Sequence, residues 1–173
     1  MTRQSRETPA SRPSGVAVNH TLLTIYLNDH LAGATIGTHR MRRLANAERS
    51  SAEGAELGRI ASEIEEDAAT LIELMRRLDI TTQRYKRAAA WLTERLGVIK
   101  LNGSFLSRSP LTTLVELEMM QTAVTGKNAL WHTLLHVGLI PQPELLLLIA
   151  RTRRQKESLE QIHQRRSTFA LNV

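Results

Sequence analysis

One stretch of this sequence has the spacing of a metal-ligand pair. In Glu160-Gln-Ile-His163 a carboxylate and an imidazole stand three residues apart. On a helix that spacing puts both on one face, where both can reach one metal. Glu63-Ile-Glu-Glu66 has the same spacing, with a second carboxylate in place of the imidazole. His132 and His136, at i and i+4, share a face as well, but no glutamate of a His-Glu-x-x-His motif lies between them. Other chemistry is thinner. The chain has no cysteine, which removes thiolate nucleophiles, thiolate metal ligands and disulfides. It has no Gly-rich phosphate loop and no Gly-x-Ser-x-Gly elbow.

The elements that would position these groups are helices. The 173 residues are 42% apolar and 3% aromatic, the length of one domain. A core with so few aromatics must be filled by Leu, Ile, Ala and Met, which suits helix-on-helix packing. The same scarcity leaves no aromatic platform for stacking bases. Residues 1–18 are rich in Ser, Arg, Pro and Thr, lack periodicity, and read as a disordered basic tail. The bundle domain is expected over 19–169.

A first helix is expected from Asn19 to Ala47, capped by Asn19 or Thr21. Its stripe is Leu23, Leu27, His30, Ala34, Gly37, Met41 and Leu44, at alternating steps of four and three. Gly33 and Gly37 weaken a helix, and are expected to let a second helix approach closely. After a turn over 49–54 a second helix runs from Ala55 to Leu78. Leu57, Ala61, Ile64, Ala68, Leu71, Met75 and Leu78 form its stripe, with Asp67 beside it. A shorter helix from Thr81 or Thr82 to Leu96 belongs to a long crossover. The third long helix, Pro110 to Val137, is apolar on two sides, through Leu111, Leu114, Val115, Leu117 and Thr122 and through Met119, Met120, Leu130 and Leu134. That predicts burial on both. The short helix carrying Trp91 is the expected cover, or a second copy of the chain. Past Gly138 and Pro141 a fourth helix carries Leu145, Leu148, Ile149, Thr152, Leu159 and Ile162 on one stripe, to about Phe169. Two antiparallel hairpins joined by a long crossover make an all-α four-helix bundle of ferritin-like layout.

Several runs, taken together, resemble an uncharacterised bacterial family of small ferritin-like four-helix-bundle proteins. They are Tyr26-Leu-Asn-Asp-His-Leu-Ala-Gly-Ala34, Glu63-Ile-Glu-Glu-Asp67, Leu96-Gly97 with Lys100-Leu-Asn-Gly103, Ser109-Pro-Leu111 and Gly126-Lys-Asn-Ala-Leu-Trp131. The resemblance covers about residues 20–166. It implies the fold and no activity. Metal enzymes of ferritin type take a Glu from each of two helices and Glu-x-x-His from each of the other two. Set against that pattern, the candidate iron or manganese ligands are Glu63, Glu118, Glu160 and His163. The first helix offers Asp29, His30 or His39 instead of a clear Glu.

Counting 1.5 Å per residue from the turns brings His39, Glu63, Glu118 and His163 to nearly one level. Rotation about each helix opposes the metal reading. His39 lies opposite its apolar stripe, Glu63 sits at a stripe edge, Glu66 faces outward, and Glu160 falls on a charged face with Arg153 and Glu157. Glu118 and, marginally, His163 point inward. The other inward polar residues are His30, Asp67, Gln121, His132 and His136. They spread along the axis, with His30 and Asp67 forming one candidate buried pair and Glu118 and His163 another.

The expectation is therefore a non-catalytic interaction or scaffolding protein without a cofactor, self-associating or bound to a protein partner. The alternative is a di-metal carboxylate oxidoreductase or metal-storage protein. The net charge of +6 and the groups Arg40–Arg43, Arg76-Arg77, Arg84–Arg87 and Arg151–Lys156 leave nucleic-acid binding through backbone charge as a less favoured alternative. The apolar runs Leu22–Leu27 and Leu145–Ala150 are too short to cross a bilayer, so no membrane association is expected. The absence of cysteine and of a visible targeting segment fits the cytoplasm.

Overall fold

The computed structural model describes residues 18–82 and 109–171. The expected tail, up to residue 17, and the crossover helix with Trp91 lie outside the described residues. Within them are four long helices and no strand. They are α1 (His20–Ala47), α2 (Gly54–Arg77), α3 (Pro110–Val137) and α4 (Gln142–Leu171).

The helix ends follow from local chemistry. The Asn19 side chain accepts from the free backbone N–H of Leu22 at 3.1 Å and starts α1. Gly54 starts α2 because the chain doubles back tightly there. A Cβ at that position would come within 2.6 Å of the Glu48 and Arg49 carbonyl oxygens. Ser109 caps α3 through Leu111 N–H at 3.3 Å, and Pro110 fits the first turn, where no N–H is needed. Gly138, at φ 71°, ends α3 in the left-handed conformation.

Side-chain contacts show how the helices meet. Between α1 and α2, His20 reaches the Leu78 carbonyl, and Arg42 binds Glu65 at 2.6 Å. Between α1 and α3, Tyr26 donates to Thr133 and Arg43 lies 3.6 Å from Glu116. Between α2 and α4, Arg77 pairs with Glu144 at 2.7 Å and Arg151 with Glu66 at 2.8 Å. The turn after α1 is clamped to the far end of α4, where Arg166 binds both Glu48 and Glu53.

The interior divides in two. One apolar cluster joins Leu27, Leu31, Leu71, Leu74, Met75, Leu130, Trp131, Leu134, Leu145 and Ile149. The other joins Met41, Leu44, Leu57, Ile60, Ile64, Leu117, Met120, Val124, Leu159 and Ile162. Among the described residues, a layer of buried polar side chains and a cleft lie between them. The two-sided burial expected of α3 does not extend to Leu111 and Thr122, which are exposed. Both expected sides are buried in part, one at Leu114 and Leu117 and the other at Met120, Leu130 and Leu134. Among the described residues, no helix is long and apolar enough to cross a membrane.

Candidate functional site

The polar layer is built from stripe positions of three helices. Asp67 follows Ile60 and Ile64 on the buried face of α2. Lys127 stands between Val124 and Trp131 on α3, and Gln155 between Thr152 and Leu159 on α4. Asp67 is 1% exposed and Gln155 is fully buried. Lys127 Nζ donates to Asp67 Oδ2 at 2.5 Å and to Gln155 Oε1 at 2.6 Å. The other oxygen of Asp67 pairs with Arg151 Nη2. Gln155 returns its amide N–H to Glu63 at 3.0 Å and, at 3.3 Å, to Asp67.

Burial costs a charge its hydration, and the ion pairs compensate. Burial pulls the Lys127 ammonium below its ordinary pKa, and the Asp67 carboxylate opposes that shift without cancelling it. At Glu63 burial pushes the carboxyl up. Hydrogen bonds from Gln155 and Arg59, with the Arg59 and Arg151 charges, outweigh that push and hold it below the usual value.

Beside this layer is a partly open cleft of about 350 Å³ between α1, α2 and α3. Small residues make its walls: Gly33, Ala34 and Gly37 from α1, Ala68 from α2, Ala123 and Gly126 from α3. Lys127 and Asp67 form its polar end, and Tyr26, Asp29 and His30 line it from α1. The His30 ring packs edge-on against Tyr26 at 4.6 Å. Burial lowers the His30 pKa, against a smaller raising effect of Asp29, so the neutral ring is favoured.

The structure separates the residues singled out by spacing. His30 and Asp67 line the same cleft, but the bonds described for Asp67 go to Lys127, Arg151 and Gln155. Glu118 and His163 meet at 3.2 Å. That pair lies at the surface: the Glu118 side chain is 55% exposed, not turned inward. Its neighbours at Leu117 and Met120 take the buried stripe positions instead. His136 is exposed too, its ring nitrogen 2.6 Å from the His132 carbonyl oxygen. Glu160 and His39 are exposed. Glu63 meets α4 at Gln155, eight residues before His163, or ~12 Å along the axis. The Asp67–Arg151 and Glu53–Arg165 pairs set that register, so the common level expected from the turns does not form. Among the described residues, no three His, Asp or Glu side chains come together as a metal-binding group.

The residues missed by spacing arguments are Lys127, Arg151 and Gln155. A signal existed for two of them. Met120, Val124, Lys127, Trp131 and Leu134 step by four and three, as do Leu148, Thr152, Gln155, Leu159 and Ile162. A lysine and a glutamine hold core positions in those series. Comparison with protein-family models, with curated proteins and with solved structures found no match to this chain.

Proposed function

We propose that the chain is an antiparallel, ferritin-type bundle that acts by binding rather than catalysis, as an interaction or scaffolding protein that self-associates. The observation that carries this reading is the state of its interior carboxylates. A di-metal bundle keeps carboxylates free to meet the cation. Here Asp67 is neutralised by Lys127 and Arg151, and Glu63 is held by Arg59 and Gln155. A metal ion would have to displace the protein's own cations.

The antiparallel assignment is supported by the order of the contacts. Early α1 meets the end of α2 and late α1 meets its middle. Lys127–Gln155 and Glu118–His163 run oppositely along α3 and α4 in the same way. Self-association is supported by Leu22, Ile25, Ile72, Leu146 and Leu147. These exposed apolar side chains belong to the start of α1, the last turns of α2 and the start of α4. Those three segments share one end of the bundle, as His20–Leu78 and Arg77–Glu144 indicate. The nucleic-acid reading is weakened by carboxylate partners on Arg42, Arg43, Arg76, Arg77 and Arg151.

The test is metal analysis of protein purified under iron- and manganese-replete conditions, together with its mass in solution. Sub-stoichiometric metal and a mass above 19.4 kDa are expected. Stoichiometric metal that is lost on Glu118→Ala would instead favour a metal protein built on Glu118 and His163.

A further inference from the structure

Two histidines on α3 take no part in the ion-pair layer. His132 and His136 stand at i and i+4, where helix side chains are neighbours. Their ring centres are 6.4 Å apart and their planes are tilted by 41°. His136 is exposed and His132 half-buried. The Nδ1 of His136 lies 2.6 Å from the His132 carbonyl oxygen. A carbonyl oxygen only accepts, so Nδ1 carries the proton, and in the neutral ring the lone pair is on Nε2. Metal-bound histidines are held in this way, donating their second ring N–H to a carbonyl or carboxylate. Among the described residues no hydrogen bond holds the His132 ring, so it can turn toward the same point.

The reach fits one ion. With metal–nitrogen bonds of about 2.0–2.1 Å, an ion shared by two imidazoles sits roughly 3.2 Å from each ring centre. Ring centres 6.4 Å apart stand at the limit of that span, and a turn of the His132 ring brings them into a bent chelate. The neighbouring chain does not repel a cation. From Asn128 to Pro143 it has no lysine or arginine. Lys127 and Gln155 set the register of α3 against α4. Counting five and nine residues on from Lys127 and back from Gln155 puts Ala150 level with His132 and Leu146 level with His136, both uncharged.

We propose that His132 and His136 form a two-imidazole site for a late first-row divalent metal ion, with water in the remaining positions. Imidazole suits copper, nickel and zinc, whereas magnesium, calcium and manganese prefer oxygen ligands. For a given site copper binds most tightly of the series. Two protein ligands leave the ion exchangeable, so the chain takes it up and releases it. This inference goes beyond self-association and does not depend on it. Manganese and iron stand at the weak end of the same series, so the sub-stoichiometric content expected above is unaffected.

The experiment is titration calorimetry of the full chain, without an affinity tag, using copper(II), zinc and manganese(II) chlorides. One ion per chain is expected at the tightest site, copper at least tenfold tighter than zinc, with no saturable manganese binding. His132→Gln and His136→Gln should each weaken copper and zinc at least tenfold, and His39→Gln should change neither. Because His136 is exposed, its substitution should leave the helix content as it was. The copper-loaded chain should give an electron paramagnetic resonance spectrum split by two imidazole nitrogens, and by one in either variant. Copper affinity untouched by His132→Gln and His136→Gln would overturn the proposal. So would manganese binding as tight as zinc, or an affinity that falls on His163→Gln and Glu118→Ala instead. None of these outcomes bears on the mass in solution that tests self-association.

Discussion

The middle of this bundle and its two ends are built on opposite rules. At the ends, the stripe positions hold aliphatic side chains: Leu44, Leu57, Leu117 and Leu159 in one cluster, Leu27, Leu74, Leu134 and Leu145 in the other, each fully buried. At the middle, the same stripe positions on three helices hold Asp67, Lys127 and Gln155, and α1 contributes glycine and alanine. The ends are close-packed and non-directional. Among the described residues the middle is directional and less filled. Aliphatic packing tolerates sliding of one helix along another by a turn, because any leucine can meet any other. A charge that must find its partner does not. The polar layer therefore fixes the register that the leucines leave loose, as a buried polar residue does in coiled coils.

The contrast is sharpest if the layer is broken from one side. Asp67→Ala leaves Lys127 buried beside Arg151 with no carboxylate between them. Removing one member of a buried pair costs about 3–5 kcal/mol, and a loss of that size is expected in the urea unfolding free energy. Replacing Asp67, Lys127 and Gln155 together by leucine should restore most of it, because well-packed apolar groups often match or exceed a buried ion pair. If the triple variant is as unstable as the single one, the layer is not an isolated register device. An end position gives the comparison its reference. Leu117→Ala, at a fully buried site, should cost about 2–4 kcal/mol with no rescue available from a polar partner.

How much of this was legible in the sequence differs between the same two regions. The ends were legible because aliphatic residues at steps of three and four announce a buried stripe. All six stripe positions expected on the last helix are buried: Leu145, Leu148, Ile149, Thr152, Leu159 and Ile162. Asn19, Pro110 and Gly138 marked helix ends for reasons of hydrogen bonding and φ. The middle was not legible, because a periodicity built on apolar residues passes over a lysine at a core position. Lys127 has a long aliphatic stem that suits such a position, and its ammonium reaches Asp67. Among the described residues no helix presses on Gly33 or Gly37, which the stripe pattern alone does not tell. A glycine in a helix stripe looks the same from sequence whether a neighbour presses on it or nothing does, and only coordinates distinguish the two.

That distinction predicts a smaller effect of opposite sign. Gly37→Ala adds a methyl group that meets no described atom within 4 Å, while improving helix propensity. The variant should be stabilised by about 0.5–1 kcal/mol, read as a higher urea midpoint at unchanged slope. At Gly54 the same substitution should destabilise, because its Cβ would strike two carbonyl oxygens at 2.6 Å. Equal effects at the two glycines would mean that Gly37 is packed against in solution.

The smallest expected effect concerns the cleft's one neutralised histidine. Burial lowers the His30 pKa from 6.5. Between its folded pKa and 6.5 the unfolded chain holds the proton more often than the folded one. By linkage, stability then rises with pH through that window and is lost as pH falls below 6.5 toward the folded value. Glu63 shifts in the same sense but lower on the scale, since its stabilised carboxylate is lost only below 4.5. The two are separable by where the loss begins. Unfolding free energies measured from pH 7.5 to 5 should decline gently in the unsubstituted chain, and His30→Gln should flatten that decline. A decline unchanged in His30→Gln would assign the acid sensitivity elsewhere and make the imidazole as hydrated as an exposed one. The middle of the bundle would then be wetter than its burial implies, and the contrast with the leucine ends correspondingly weaker.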